Sequence, residues 1–279
     1  MATRSARGER RSPTPAAAHK RGAVRTLKDA LSEGRLVLQY QPIVGARDGS
    51  IGCVEALLRW KEPSADGGDL AELVRLAEHS PVIFRLHDWT LREACRAAAL
   101  WRERGLSGLR VNVNVSARVL PRTRLAGRLR REMRAAGLPS GTLALEITET
   151  SAIGDFKEVA GHLDELIAMG AEMWLDDFGT GHSSLEWLSH LPVHGVKIAG
   201  TFVKRLPDPR CRAIVTRVVE MARDLGLLVA AEGVESAQQR DFLVERGCDL
   251  LQGFLFHASM PADDLPGTLA FQPTLEPAR

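Results

Sequence analysis

The sequence predicts an α/β barrel of eight strands. Three observations carry that expectation. From about residue 27, short β-rich runs alternate with longer helical stretches. Eight such strands fit into about 250 residues, the usual extent of a (β/α)8 barrel. Polar side chains then recur at or near the end of one strand after another, where barrels of this kind keep their chemistry. On the pattern alone, a doubly wound open sheet is the alternative.

The elements follow in order. Residues 1–26 precede the pattern. Seven of the chain's 37 basic side chains (Arg4, Arg7, Arg10, Arg11, Lys20, Arg21, Arg25) lie in residues 1–25, against Glu9 alone of the 35 acids. This stretch is rich in Ala, Ser and Pro and shows no apolar periodicity, so it reads as a disordered basic tail. A solvated tail is favoured over contact with nucleic acid or an anionic membrane. The domain proper is expected over 27–279. Its first two strands, RLVLQYQPIV (35–44) and SIGCVEALLRW (50–60), are separated only by GARDG. That link is too short for a crossover helix, so the pair should be antiparallel. Further strands are LRVNVNVS (109–116), TLALEIT (142–148), AEMWLDD (171–177), HGVKIA (194–199), LLVAAEG (227–233) and DLLQGF (249–254). Helical patterns fall at 82–104, 155–169, 207–225 and 236–246. Gly105, Gly170, Gly226 and Gly247 each follow one closely, as helix C-caps do.

Composition narrows the class. Hydrophobic residues make up 44% of the 279, enough for a sizeable core, but aromatics are only 5%, so Leu, Val, Ile and Ala must fill it. No apolar run approaches the ~20 residues of a membrane helix, and the basic start lacks the apolar stretch of a secretory signal. Cys53, Cys95, Cys211 and Cys248 are widely spaced, without a CxxC pair. Free thiols in a reducing cytoplasm are expected.

The candidate chemistry is a series. Glu55, Asn114, Glu146, Asp176, Asp177, Lys197, Glu232 and Gln252 lie within or at the end of seven strand candidates. Any one alone would pass for a satisfied core polar group. Seven strands in succession would not, because buried charge is costly unless paired or metal-bound. Strand alternation puts Glu55, Leu57 and Arg59 on one face, Lys197 with Ala199 on another, and Asn112 with Asn114 on a third, so spacing does not choose between the two asparagines. Oxygen ligands without a His or Cys cluster suit Mg2+ or Mn2+ rather than zinc. Five carboxylates in one cavity call for two such ions, and an ion pair of that kind clamps the oxygens of a phosphoester.

The stretches VEALLRW, VNVSARVL, LEITET, DDFGTGHSSL, VKI, AEGVES and GCDLLQGF, in this order, resemble the motifs of EAL-domain cyclic-di-GMP phosphodiesterases. The resemblance runs from about Gln39 to Pro261. It implies a (β/α)8 TIM-like barrel with one antiparallel strand, and hydrolysis of the bacterial second messenger cyclic di-GMP to linear pGpG with two Mg2+ or Mn2+ ions. Ca2+ is then expected to support binding without turnover. By motif position, Glu55, Asn114, Glu146 and Asp176 would hold the first metal, which favours Asn114 over Asn112. Asp176 would bridge to the second metal with Asp177 beside it. Glu232 would serve the second metal or act as base, Lys197 would orient the attacking water, and Gln252 would line the site. Gln41, Leu57 and Arg59 would contact the dinucleotide. Glu149 would anchor the loop after DDFGTG, which in the family couples the site to a dimer interface; a homodimer is implied, and a regulatory protein partner is allowed for.

Bland alternatives stand beside these roles. Arg59 could be a surface ion-pair partner, and Glu149 and Glu235 could be acids at helix N-termini. His182 and His194 read as exposed polar residues, Trp60 and Trp174 as packing. The chain also departs from the family. Ala199 stands where KID usually places Asp, His182 replaces a usual tyrosine, and Leu70, Leu73 and Arg75 replace Pro, Phe and Pro beside the substrate entrance. No second domain is expected within these residues. The departure at Ala199 keeps a second reading open, a weak or inactive receptor for cyclic di-GMP or a protein-interaction regulator.

Overall fold

The computed structural model describes residues 15–62, 68–117, 119–120, 125–148, 156–180 and 184–270. Helix α1 (Pro15–Ser32) leads into the hairpin β1 (Leu36–Gly45) and β2 (Ile51–Trp60), followed by α2 (Leu70–Ala77) and α3 (Val82–Glu103). Strands β3 (Arg110–Ser116), β4 (Leu143–Thr148) and β5 (Glu172–Phe178) alternate with α4 (Leu125–Ala135) and α5 (Phe156–Ile167). After α6 (Ser184–His190) come β6 (Gly195–Ile198), α7 (Gly200–Lys204), α8 (Pro209–Asp224), β7 (Leu228–Ala231), α9 (Ala237–Arg246), β8 (Leu250–Leu251) and α10 (Leu265–Ala270).

The eight strands close into a barrel in sequence order. Strand β1 runs antiparallel to both neighbours, β2 and β8, and the pairings from β2 round to β8 are parallel. The GARDG link explains the reversal. Gly49 takes a left-handed φ of 67°, and Asp48 accepts from the Ser50 amide and hydroxyl, folding the chain back within one turn.

Outward strand residues such as Val111, Val113, Leu145, Ile147, Leu175 and Val229 pack under the helices as the main core. Inside the barrel, Trp174 packs with Ala144 and Ala230 to form the floor. Trp174 needs its opposite neighbour to be small: a Cβ on Gly195 would lie 2.5 Å from its ring. Beneath the floor, Arg110 pairs with Glu172, and Trp174 Nε1 donates to Glu172 at 3.3 Å. The lower barrel is therefore sealed, and the chemistry is confined to the upper end.

The helix punctuation is as the glycines indicate. Gly105, Gly170, Gly226 and Gly247 all take left-handed φ values, between 72° and 96°. The reading of residues 1–26 as a tail is corrected over 15–26, which form the first part of α1. The buried stripe of that helix is Ala23, Leu27 and Ala30. It straddles the supposed boundary, so the tail taken alone holds too little of the stripe to show a helical period. Strand β8 is shorter than expected, because Gly253 turns the chain against the Val234 backbone, leaving no room there for a Cβ.

Candidate active site

Above the Trp174 floor, inward strand positions bring the polar series together. Lys197 of β6 is 1% exposed and stands at its centre. Its Nζ donates to Glu146 Oε2 at 2.7 Å and Glu55 Oε2 at 3.2 Å, and lies 2.5 Å from Glu232 Oε1 and 3.5 Å from Asp176 Oδ1. One ammonium thus meets four carboxylates from β2, β4, β5 and the end of β7. Asn114 Nδ2 donates to Glu55 Oε1 at 2.7 Å, and Gln252 Nε2 to Glu55 Oε2 at 2.9 Å. Gln252 also reaches Gln41 Oε1 at 3.2 Å, and Gln41 Nε2 is held by the His257 carbonyl at 2.9 Å.

The asparagine ambiguity resolves into two depths. Asn114 pairs with Glu55 and lines the open side of the site. Asn112, two residues earlier on the same face, donates to Glu146 Oε1 at 2.8 Å and is closed off from solvent.

The electrostatics follow from burial. Burial raises the Glu146 pKa to about 8, and the Glu55 charge adds to it, with Lys197 only partly opposing. Burial also pushes Glu232 well above the carboxylate range, reinforced by Asp176, Glu55 and Glu146 and opposed by Lys197. For Glu55 burial again raises the pKa, but Lys197, Gln252 and Asn114 outweigh it and hold the group ionised. Burial and the Asp176 charge raise Asp177. Burial disfavours the Lys197 ammonium, yet the surrounding carboxylates raise its pKa well above normal. Burial is the leading cause for the raised carboxylates, and the surplus of negative charge around one ammonium adds to it.

That surplus suits a cation. Asp176, Asp177 and Glu232 each bring a carboxylate oxygen within 4.8 Å of the others. Glu232 Oε1 and Gln252 Oε1 are buried without a well-formed hydrogen bond, although the former touches the Lys197 charge. An all-oxygen donor set with unspent lone pairs fits a hard divalent ion. The backbone is bent to present it. Asp177 takes a positive φ of 53°, rare for a non-glycine residue, and its N–H donates to Asp176 Oδ1 at 2.8 Å while its carbonyl accepts from the Thr180 hydroxyl at 2.8 Å.

Beside the ring opens a cavity of about 600 Å³, shared by the ends of β2 and β3 with α2 and α3. Arg59 lies on its wall. Its guanidinium donates to the Leu58 carbonyl and forms no ion pair among the described residues. Leu57, also on β2, is half-buried. The departures at Leu70 and Arg75 border this cavity as expected. Glu149 and His182 lie outside the described residues. Glu235 is exposed and precedes the N-cap Ser236 of α9. His194 is half-buried rather than exposed: its Nδ1 accepts from the Met173 amide at 3.1 Å, bracing the start of β6 away from the ring. Trp174 is the barrel floor, and Trp60 lines the cavity under Arg35. Ala199 is buried and is the N-cap of α7, with no side-chain cap.

Sequence reasoning missed His87 of α3. It is buried, accepts from the Ser116 amide through Nε2 at 3.4 Å, and lines the cavity with Thr90. The only signal was a histidine on the apolar stripe of a long helix, which by itself is not distinctive.

The geometry has counterparts in known proteins. Over 245 residues the chain is 39% identical to the bifunctional diguanylate cyclase/cyclic di-GMP phosphodiesterase MucR of Pseudomonas aeruginosa, covering 88% of this chain and 36% of MucR. Over 236 residues it is 38% identical to the cyclic di-GMP phosphodiesterase NbdA of the same species, covering 84% and 30%. The chain spans about a third of the length of these curated relatives. The structure of the PaMucR phosphodiesterase in complex with c-di-GMP superposes with a TM-score of 0.80 at 39% identity, over 87% of this chain and 99% of that one. With the family model for the EAL domain matching residues 24–259, the chain belongs to the EAL domain family.

Proposed function

We propose that this chain hydrolyses one phosphodiester of cyclic di-GMP to linear pGpG, lowering the signal that the cyclic dinucleotide carries. The observation that carries this reading is the ring around Lys197: four carboxylates from different strands, with Asn114 and Gln252, in an EAL-family chain whose relatives include named cyclic di-GMP phosphodiesterases.

The roles follow the chemistry of each group. Asp176, Asp177 and Glu232 would hold one Mg2+ or Mn2+, and by motif position Glu55, Asn114, Glu146 and Asp176 would hold another. Two such ions, when bound, lower the pKa of a water and neutralise charge on the phosphate. Glu232, in the Asp176–Asp177 cluster and 2.5 Å from Lys197 Nζ, would serve that metal or, ionised, take the proton of the attacking water. Lys197 orients that water by its Nζ–H donors and offsets charge at the phosphorus. Water adds to phosphorus, the bond to one ribose 3′ oxygen breaks, and that oxygen leaves as the hydroxyl of the linear product. Arg59, without a carboxylate partner among the described residues, would pair with a phosphate, while Gln41 and Leu57 would contact the rest of the dinucleotide. Ca2+, larger and more weakly polarising, would hold substrate without turnover. We place the reaction in the cytoplasm, in keeping with four free buried cysteines and, among the described residues, no helix long and apolar enough to cross a membrane. We also propose a homodimer coupled to the site through the loop after DDFGTG, which Glu149 would anchor.

Ala199 supports a second reading, a weak enzyme or receptor, because no polar atom stands at that position at the end of β6. Following pGpG formation from cyclic di-GMP in Mn2+, beside binding in Ca2+, separates the two. Turnover that Glu55→Ala abolishes is expected. Binding without turnover in Mg2+ or Mn2+ would favour the receptor.

A further inference from the structure

The cavity beside the ring is larger than the scissile phosphate requires. Its volume of about 600 Å³ falls in the range, about 300–1,000 Å³, of pockets that bury a small ligand. Asn114 and Asp177 of the ring share its lining with apolar Leu70, Val74 and Ile83 and with the polar group His87, Thr90 and Ser116. A cyclic dinucleotide with one phosphate at the ring sends a base to either side of it, and a cavity continuous with the ring is where one base would enter.

His87 is the distinctive member of that wall. It is 7% exposed, in the second turn of α3. The Ser116 amide donates to its Nε2 at 3.4 Å, and the imidazole makes no other hydrogen bond among the described residues. Burial lowers its pKa to about 4, so the ring is neutral at ordinary pH. In a neutral imidazole whose Nε2 accepts, Nδ1 carries the proton. That N–H has no protein partner among the described residues and is not sealed from solvent, so on a residue lining the cavity it is a donor available to a ligand there.

We infer that His87 determines base specificity, its Nδ1–H donating to the O6 and N7 acceptor edge of a guanine seated in this cavity and disfavouring the amino group that adenine carries there. The inference rests on the substrate being a cyclic dinucleotide, as proposed above. His87 touches a base and not the reacting phosphate, so its effect belongs in affinity and discrimination.

The test is a set of dissociation constants, measured by calorimetry in Ca2+ so that the metal sites are filled while hydrolysis is off. The ligands are cyclic di-GMP, cyclic di-IMP (which keeps O6 and N7) and cyclic di-AMP (which does not keep O6). The wild type should bind the first two within a few-fold of each other and the third at least about tenfold more weakly. His87→Leu should weaken the first two about tenfold and leave the third nearly unchanged. His87→Asn, which keeps an N–H near the Nδ1 position, should restore most of the loss. Circular dichroism and Tm establish that each variant is folded; should the Leu variant not fold, the ligand series on the wild type and the Asn variant decide. A folded His87→Leu with unchanged discrimination, or a wild type that binds the adenine ligand as tightly as the guanine one, overturns the inference and leaves the substrate reading standing. A wild type that binds none of the three overturns both.

Discussion

Replacing Lys197 by methionine removes one positive charge at nearly constant shape. The ammonium lies 2.5, 2.7, 3.2 and 3.5 Å from oxygens of Glu232, Glu146, Glu55 and Asp176. At an effective dielectric of about 20, each contact with an ionised carboxylate at such a distance is worth roughly 5–7 kcal/mol before desolvation. Burying the ammonium and the carboxylates cancels most of that, and breaking a buried pair from one side typically costs a net ~3–5 kcal/mol. For a chain of this size that corresponds to a fall in Tm of roughly 6–20 °C in chelator. The penalty should also depend on metal, because a divalent ion held by Asp176, Asp177 and Glu232 would replace the lost charge. Thermal unfolding of wild type and Lys197→Met, each in EDTA and in excess Mn2+, measures both effects. A large deficit in EDTA that shrinks in Mn2+ is expected. An unchanged Tm in EDTA would refute the placement of Lys197 as the charge that holds the metal-free ring together.

Other consequences can be checked in the same way. Because burial holds His87 neutral down to about pH 4, against 6.5 when exposed, the native state gives up stability as pH falls through that window, by up to about 3 kcal/mol; urea midpoints should fall less steeply between pH 7 and 4.5 in His87→Asn than in the wild type. Glu146 has the opposite sign. Its folded pKa of about 8 lies above the ordinary value of 4.5, so metal-free protein should lose stability as pH rises through that interval, and Glu146→Gln should flatten the dependence. Gly253→Ala should destabilise by about 1–3 kcal/mol and slow turnover, since the added Cβ overlaps the Val234 backbone next to Gln252; an unaltered Tm would count against this tight crossing. Ala199→Asp should raise kcat, and in metal-saturated protein, where its charge is offset, it should add about 1 kcal/mol of stability as an N-cap for α7. A gain in Tm without a gain in rate would assign that carboxylate to capping alone.

What the sequence disclosed depended on how local each signal was. The β1–β2 reversal was legible because five residues cannot cross a barrel. The helix ends were legible because glycine alone tolerates the left-handed turn cheaply. Most of the ring was legible because β alternation is rigid: placing Glu55, Glu146, Asp176 and Lys197 inward follows from strand parity once the strands are known. Three features were not. The stripe of α1 crosses residue 26, so cutting the chain there hid it. The depth difference between Asn112 and Asn114 comes from barrel register, with Asn114 opposite Glu146 on β4 and Asn112 opposite Glu55 on β2, and no single strand contains that information. His87 meets Ser116 across 29 residues, a contact that only the packing of α3 on β3 creates.

The most direct test of the whole account is to incubate the protein with cyclic di-GMP and Mn2+ in 18O-labelled water and analyse the product by mass spectrometry. The account predicts linear pGpG with one 18O in its terminal phosphate, absent in Glu55→Ala and in chelator. Intact cyclic di-GMP, or a linear product without label, would contradict it.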